Sequence, residues 1–333
     1  ASTINLTSSV LAPVVSVTKE VPQSGLTNNN WDVDSNTENY TRLNSAPATT
    51  LDFVGFDVST AASSATFSLT QDTRPNGITF NTEGTKMFIA GDEFNAVYEY
   101  NLSTSFSVST AVYSQSFSVA AQELTPTGIA FNSDGTKMYI IGESSDRVHQ
   151  YSLSTGFDIS TASYDSVSFL VSSQDTAPTS LTFNTDGSKM FITGQTNDSV
   201  YEYSLSTNFD ISTASYTQAL SITAQDGQPF DIKFNPSGTK MFVIGEQNRN
   251  VNEYSLSTAF NISTASYTQN FATGFTGTRG LAFNSNGLKM FVVNQTGAGD
   301  DLYEYDLDVT SLALGTGSFA SADVGKTIEA NDG

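Results

Sequence analysis

The sequence predicts an all-β fold: a five-bladed β-propeller, with four antiparallel strands in each blade and an N-terminal strand that closes the last blade. Three observations carry that prediction. All five methionines of the 333 residues, Met87, Met138, Met190, Met241 and Met290, fall in one local frame ("GTKMF", "GTKMY", "GSKMF", "GTKMF", "GLKMF"), 51, 52, 51 and 49 residues apart. Seven residues before each stands a phenylalanine (Phe80, Phe131, Phe183, Phe234, Phe283), and thirteen after the first four stands a tyrosine (Tyr100, Tyr151, Tyr203, Tyr254). A third marker, "FDVSTA", "FSVSTA", "FDISTA", "FDISTA" and "FNISTA", begins at Phe56, Phe106, Phe157, Phe209 and Phe260. A fixed period of this length marks a solenoid, a propeller or an array.

Each unit reads as four strands. In "GITFNTEGTKMFIAG" two apolar runs flank Asn81 to Gly84, which suits a hairpin whose glycine takes the left-handed position. "VYEYNL" is a third β-rich stretch, and "YSQSFSV" alternates Tyr113, Gln115, Phe117 and Val119 against serines, the period of a strand. Runs such as "MFIA" and "MYII" are continuously apolar, as expected of a strand covered on both faces, and methionine's unbranched thioether suits the irregular gap between blades. The fifth unit ends after "LYEYDL" without a fourth strand, whereas "ATFSLT" (65–70) precedes the first hairpin, so the early strand is expected to complete the last blade. The expected organisation is an N-terminal attachment segment over 1–52, the propeller over 53–309 and a C-terminal segment over 310–333 leading to a further domain or partner.

Composition narrows the partners. Thirty-four acidic against 13 basic residues give a net charge of −21, which repels phosphate backbones and anionic lipid surfaces, so neither nucleic acid nor membrane insertion is expected. No run of about 18 apolar residues is present. Cysteine is absent, which removes thiolate metal sites, disulfides and cysteine nucleophiles together.

The wording "PTGIAFNSDGTKMYIIG" followed by "VHQYSLST" resembles the YVTN-type and lactonase-like propeller repeats over the whole repeat region. That resemblance implies a propeller, and fold does not carry function with it. The segment "GTGSFASADVGKTIEANDG" (315–333) resembles one seen in phage tail-fibre and other virion appendage proteins, and the Ser/Thr/Asn-rich units are similar to those of marine phage and bacterial surface proteins.

Candidate site residues are of three kinds. Asp72, Glu123, Asp175 and Asp226 each follow a glutamine before a hairpin, and a second set, Asp92, Glu143 and Glu246, with Gln195 in the remaining blade, follows a glycine after the methionine strand. Such carboxylates either hold Ca²⁺, as hard oxygen ligands, or serve as turn and cap residues on a solvated rim; no other cofactor is expected. The fifth unit breaks the pattern, with Thr278 in place of a proline, Phe275 in place of the carboxylate and a loop longer by two residues in "NQTGAGDD". Phe275, Arg279 and Asp300 are therefore candidates for ligand binding, or marks of the closing blade. His149, the single histidine, stands where Tyr98 and Tyr201 stand elsewhere and reads as a strand residue, because a Ser-His-Asp relay needs its base beside a nucleophile at one unique site.

With no catalytic constellation legible, the expected function is a non-enzymatic extracellular structural or binding module, a phage virion appendage or surface adhesin component on a virion or bacterial cell surface. Its expected partners are other virion or cell-surface proteins and a host surface glycan or protein. The alternative is a propeller hydrolase or lactonase acting on sugars or small esters, which requires a unique acid or base in the channel with a perturbed pKa.

Overall fold

The computed structural model describes residues 55–296 and 300–308 in full, and the backbone of six flanking strands. The chain divides into two compact units, residues 58–285 with 289–306, and residues 1–57 with 286–288 and 307–333.

The first of these is the propeller. Its blades I to IV run Pro75–Phe80, Lys86–Gly91, Ala96–Leu102, Ala111–Ser118; Pro126–Phe131, Lys137–Gly142, Arg147–Leu153, Ala162–Leu170; Pro178–Phe183, Lys189–Gly194, Ser199–Leu205, Ala214–Ser221; and Pro229–Phe234, Lys240–Gly245, Asn250–Leu256, Ala265–Ala272. Blade V is Thr278–Phe283, Lys289–Asn294 and Asp301–Asp306, completed by Ala62–Ser68, which pairs antiparallel with the third strand in the register Asp301↔Ser68 to Asp306↔Ala62. The expected closure by an early strand is thus present, and it leaves blade V no open edge on that side.

Burial explains the methionine frame. Met138 packs with Phe88, Ala90 and Val97 of blade I, Met190 with Tyr139 and Ile141 of blade II, Met241 with Phe191 and Val200 of blade III, and Met87 with Phe291 and Val293 of blade V. Each thioether fills the gap between its own blade and the preceding one. Alongside run five aromatic contacts, Phe88–Phe131, Tyr139–Phe183, Phe191–Phe234, Phe242–Phe283 and Phe80–Phe291, with centroids 4.5–4.7 Å apart, and the last of them closes the circle from blade V to blade I.

The "FDISTA" marker forms a single 3₁₀ turn ahead of each fourth strand, such as Ile159–Thr161. The turn's buried backbone N–H is held from the preceding blade: Ile159 donates to Glu99 of blade I (3.4 Å), Ile262 to Glu202 of blade III (3.2 Å), Val58 to Glu253 of blade IV (3.3 Å) and Val108 to Glu304 of blade V (2.8 Å). These glutamates are in turn paired with Lys86, Lys189, Lys240 and Lys289. Blade II does the same with Gln150, whose Oε1 accepts from Ile211 (3.4 Å) while the charge has moved to Asp165 on the fourth strand. The marker's phenylalanine adopts a left-handed backbone, at φ 54° in Phe106 and 56° in Phe157, and its ring lies where the hairpin glycine, Gly84 or Gly135, has no Cβ. A bulky residue at positive φ is held there only by surrounding contacts, and here the turn glycine supplies the space.

In the other unit the flanks pair with one another. Thr3–Asn5 and Trp31–Asp34 lie on either side of Thr327–Ala330, Tyr40–Arg42 joins Trp31–Asp34, and Leu51–Val54 pairs with Ser311–Leu314. The remainder of the attachment segments expected over 1–52 and 310–333 lies outside the described residues.

Candidate functional site at the channel mouth

The five first strands, rich in small residues, line the axis of the propeller. Neighbouring strands approach so closely there that a Cβ on Gly77 would lie 2.9 Å from the Cα of Gly128, and one on Gly128 would lie 2.8 Å from the Cα of Ser180. Aligning the units, "GITF", "GIAF", "SLTF", "DIKF" and "GLAF", shows that blade IV places Asp231 and Lys233 where the others carry small or neutral residues. Asp231 is buried. Its Oδ1 accepts from Ser180 Oγ, from the backbone N–H of Ile232 (2.7 Å) and from Lys233 Nζ (2.7 Å), and its Oδ2 accepts from the N–H of Leu281 (2.8 Å). That is a buried carboxylate with both oxygens hydrogen-bonded, locking blades III, IV and V together.

One mouth of the channel gathers charge. Arg279 of blade V meets there four of the residues that follow the methionine strands, Glu246 and Gln295 directly and Asp92 and Glu143 through its charge. Its Nε donates to Gln295 Oε1 (3.0 Å), its Nη1 pairs with Glu246, and its guanidinium lies 3.9 Å over the ring of Phe230. Two donors of the fork engaged by separate partners, together with cation–π stacking, fix the group's plane. Asp92 pairs with Arg74 (3.0 Å). Burial raises the Asp92 carboxyl above its ordinary range, with Arg74 and then Arg279 opposing and Asp72 reinforcing the rise. Partial burial also raises Glu143, opposed by Arg279 and reinforced by Asp92 and Glu123. Among the described residues Glu143 is in no ion pair, and its exposed carboxylate is open to a ligand or a water.

Asp72, Glu123, Asp175 and Asp226 are buried loop clamps. Asp175 accepts from the N–H of Ala177 (2.9 Å), Thr196 (3.1 Å) and Asn197 (3.2 Å) and from Tyr201 Oη (3.0 Å), and Asp72 accepts from Arg74 N–H and Tyr98 Oη in the same way. Asp226 keeps the bonds from Gln228 and Asn248, but Asn252 replaces the tyrosine and burial leaves this carboxyl raised. These carboxylates, the four expected to form a Ca²⁺ rim, accept from donors of their own blade, and among the described residues no group of three or more acidic or histidine side chains is placed to hold a metal ion. In blade II the clamp is Glu123, which accepts from Ser144 and Ser145, and Ser145 Oγ lies 2.9 Å from His149 Nε2. The order His–Ser–Glu leaves the hydroxyl donating to carboxylate rather than to imidazole, which is no nucleophile relay.

Of the three ligand-binding candidates, Arg279 alone reaches the channel. Phe275 stacks on Tyr303 with centroids 4.0 Å apart, replacing the carboxylate–tyrosine bond of the other clamps by ring contact, and buried Asp300 accepts from the N–H of Thr296 (2.9 Å) inside its own loop. Asp231 and Lys233 escape a reading that searches for repeats, although the unit alignment carries the signal.

Fold and mouth together define a propeller with a polar, ionisable channel entrance. The chain belongs to the family described as Lactonase, 7-bladed beta-propeller, which matches residues 96–262, half of its length; here the ring closes with five blades. Similar solved structures include a proposed 6-phosphogluconolactonase from Bacteroides uniformis (14% identity, 70% of this chain and 68% of that one, TM-score 0.45) and a second from Bacteroides fragilis (12%, 95% and 94%, 0.46). A protein from Lactobacillus plantarum is also similar (13%, 95% of each chain, 0.47). No curated protein matches the sequence.

Proposed function

We propose that the protein hydrolyses lactones or small esters at the Arg279 mouth. The observation that carries this reading is a guanidinium held in a fixed plane by Phe230, Gln295 and Glu246, whose charge acts on Glu143, an exposed carboxylate whose pKa is raised by partial desolvation. Membership of the lactonase family supports it over the non-enzymatic surface module. In the reaction a water oxygen attacks the carbonyl carbon while Glu143 removes its proton, and the Arg279 N–H groups stabilise the oxyanion. Collapse breaks the C–O bond of the ring, and the leaving alkoxide takes the proton back from Glu143, giving a hydroxy acid. Phe230 beneath and Glu246 with Gln295 beside Arg279 are positioning residues.

The test is a pH-stat assay on γ- and δ-lactones and simple esters. Turnover in the native chain that falls about 100-fold or more in Glu143→Gln and in Arg279→Gln is the expected result. No turnover, or turnover indifferent to both changes, sinks the proposal. A second reading, binding without turnover at a virion or cell surface, is favoured by Phe94 and Leu124, 61% and 60% exposed on neighbouring loops of this same end. Saturable ligand binding with no hydrolysis would favour it.

A further inference from the structure

We propose that the opposite end of the channel, ringed by the hairpin turns, is a separate site for a neutral polyhydroxylated molecule of monosaccharide size. A cavity of about 250 Å³ opens there, lined by Thr79, Ala130, Thr182 and Lys233 of four first strands and by turn residues including Thr82 and Thr185. At about 30 Å³ per water it has room for roughly eight waters, the space of one six-carbon sugar. It lies three residues further along the blade IV strand than Phe230 of the Arg279 mouth, roughly 10 Å away at 3.3 Å per residue.

The chemistry of the lining selects the ligand. Lys233 gives one donor to Asp231 and, as an ammonium with three, keeps two for the cavity. The ion pair of Lys233 with Asp231 brings no net charge, so neither an anion nor a cation gains by entering. The hydroxyls of Thr79 and Thr182 have no protein partner among the described residues, and each both donates and accepts, as a sugar hydroxyl requires. Half-buried Phe80, Phe131 and Phe183 form apolar lining of the kind that packs against the C–H face of a sugar ring. Charge neutrality, paired hydroxyls and aromatic faces together favour a sugar or polyol over a phosphate or a carboxylate. The inference does not depend on hydrolysis at the other mouth.

The test uses the full chain with methyl α-D-glucopyranoside and, separately, inorganic phosphate, read by calorimetry and by saturation transfer to the sugar protons. Sugar binding on the order of millimolar that weakens about tenfold or more in Thr79→Val/Thr182→Val is expected, two hydroxyl contacts being removed without change of shape. Arg279→Gln should bind the sugar as the native chain does. Lys233→Met, which risks destabilising Asp231, is compared only if its melting curve remains cooperative, and the threonine pair decides otherwise. Absence of sugar binding at tens of millimolar (on the order of the weakest useful affinity), binding of phosphate in place of sugar, or binding lost in Arg279→Gln but kept in the threonine pair would each overturn the proposal.

Discussion

Glu304 Oε2 accepts the backbone N–H of Val108 at 2.8 Å across 196 residues of sequence, joining blade V to the turn that opens the fourth strand of blade I. The same carboxylate pairs with half-buried Lys289. Glu304→Ala therefore leaves a buried N–H without an acceptor and an ammonium without its partner, a loss of about 3 kcal/mol. Glu304→Gln keeps an acceptor, as Gln150 does naturally in blade II, and should lose only about 1 kcal/mol. Urea midpoints at unchanged m-value read the difference. Equal losses in the two variants would contradict the assignment.

Blade II offers a sharper test of the same staple, because Gln150 and Asp165 exchange the roles that Glu99 and Gln115 have in blade I. Gln150→Glu alone sets two carboxylates against Lys137 and should destabilise by about 1 kcal/mol or more. Adding Asp165→Gln leaves one carboxylate and one amide facing Lys137, from the bulged position of the fourth strand, and should recover most of that. A double-mutant cycle showing additive effects would remove the idea of a compensated exchange.

His149 links stability to pH. Burial lowers its pKa below the ordinary 6.5, with Glu123 opposing and Arg147 assisting, and Tyr164 covers the ring with an edge contact. A base with a depressed folded-state pKa contributes stability that is present above 6.5 and is lost as the pH falls through the folded value. The melting temperature should fall on acidification below 6.5, and this part of the fall should be absent in His149→Gln. Superimposable pH profiles for the two proteins would show that His149 is not the group responsible.

For catalysis the sign follows from Glu143. A general base must be deprotonated, and burial places this carboxyl above the usual 4.5, so the acid limb of the rate profile should lie above that value. Arg279 opposes the rise, so Arg279→Gln should move the limb to still higher pH while lowering the rate. A limb that stays in place in Arg279→Gln would separate the two residues.

Calcium should leave the melting temperature unchanged, because the carboxylates proposed to bind it are already saturated by N–H and hydroxyl donors. Asp175→Ala, by contrast, orphans three backbone donors and the Tyr201 hydroxyl and should cost at least about 3 kcal/mol in urea unfolding. A calcium-dependent rise in melting temperature would restore the metal rim.

The repeat was legible in the sequence because inter-blade packing is the same problem solved five times. An identical gap demands an identical residue, which is why Met87, Met138, Met190, Met241 and Met290 keep one frame and why the missing fourth strand of the last unit could be sought in "ATFSLT". Periodicity of two and turn glycines settled the strands on local sterics alone. Side-chain destinations at the ends and along the axis were decided only by the tertiary structure. The two carboxylate sets look alike in sequence, yet Asp72, Glu123, Asp175 and Asp226 turn inward to backbone donors while Asp92, Glu143 and Glu246 face the mouth. Arg279, Phe275 and Asp300 break the repeat equally, and only the packing of blade V on blade IV brings Arg279 over Phe230. Asp231 and Lys233 are two residues apart on one strand, but their meaning comes from Ser180 and Leu281, some 50 residues away on either side. Chemistry at a propeller axis is built from one residue per blade, so it exists only once the circle is closed.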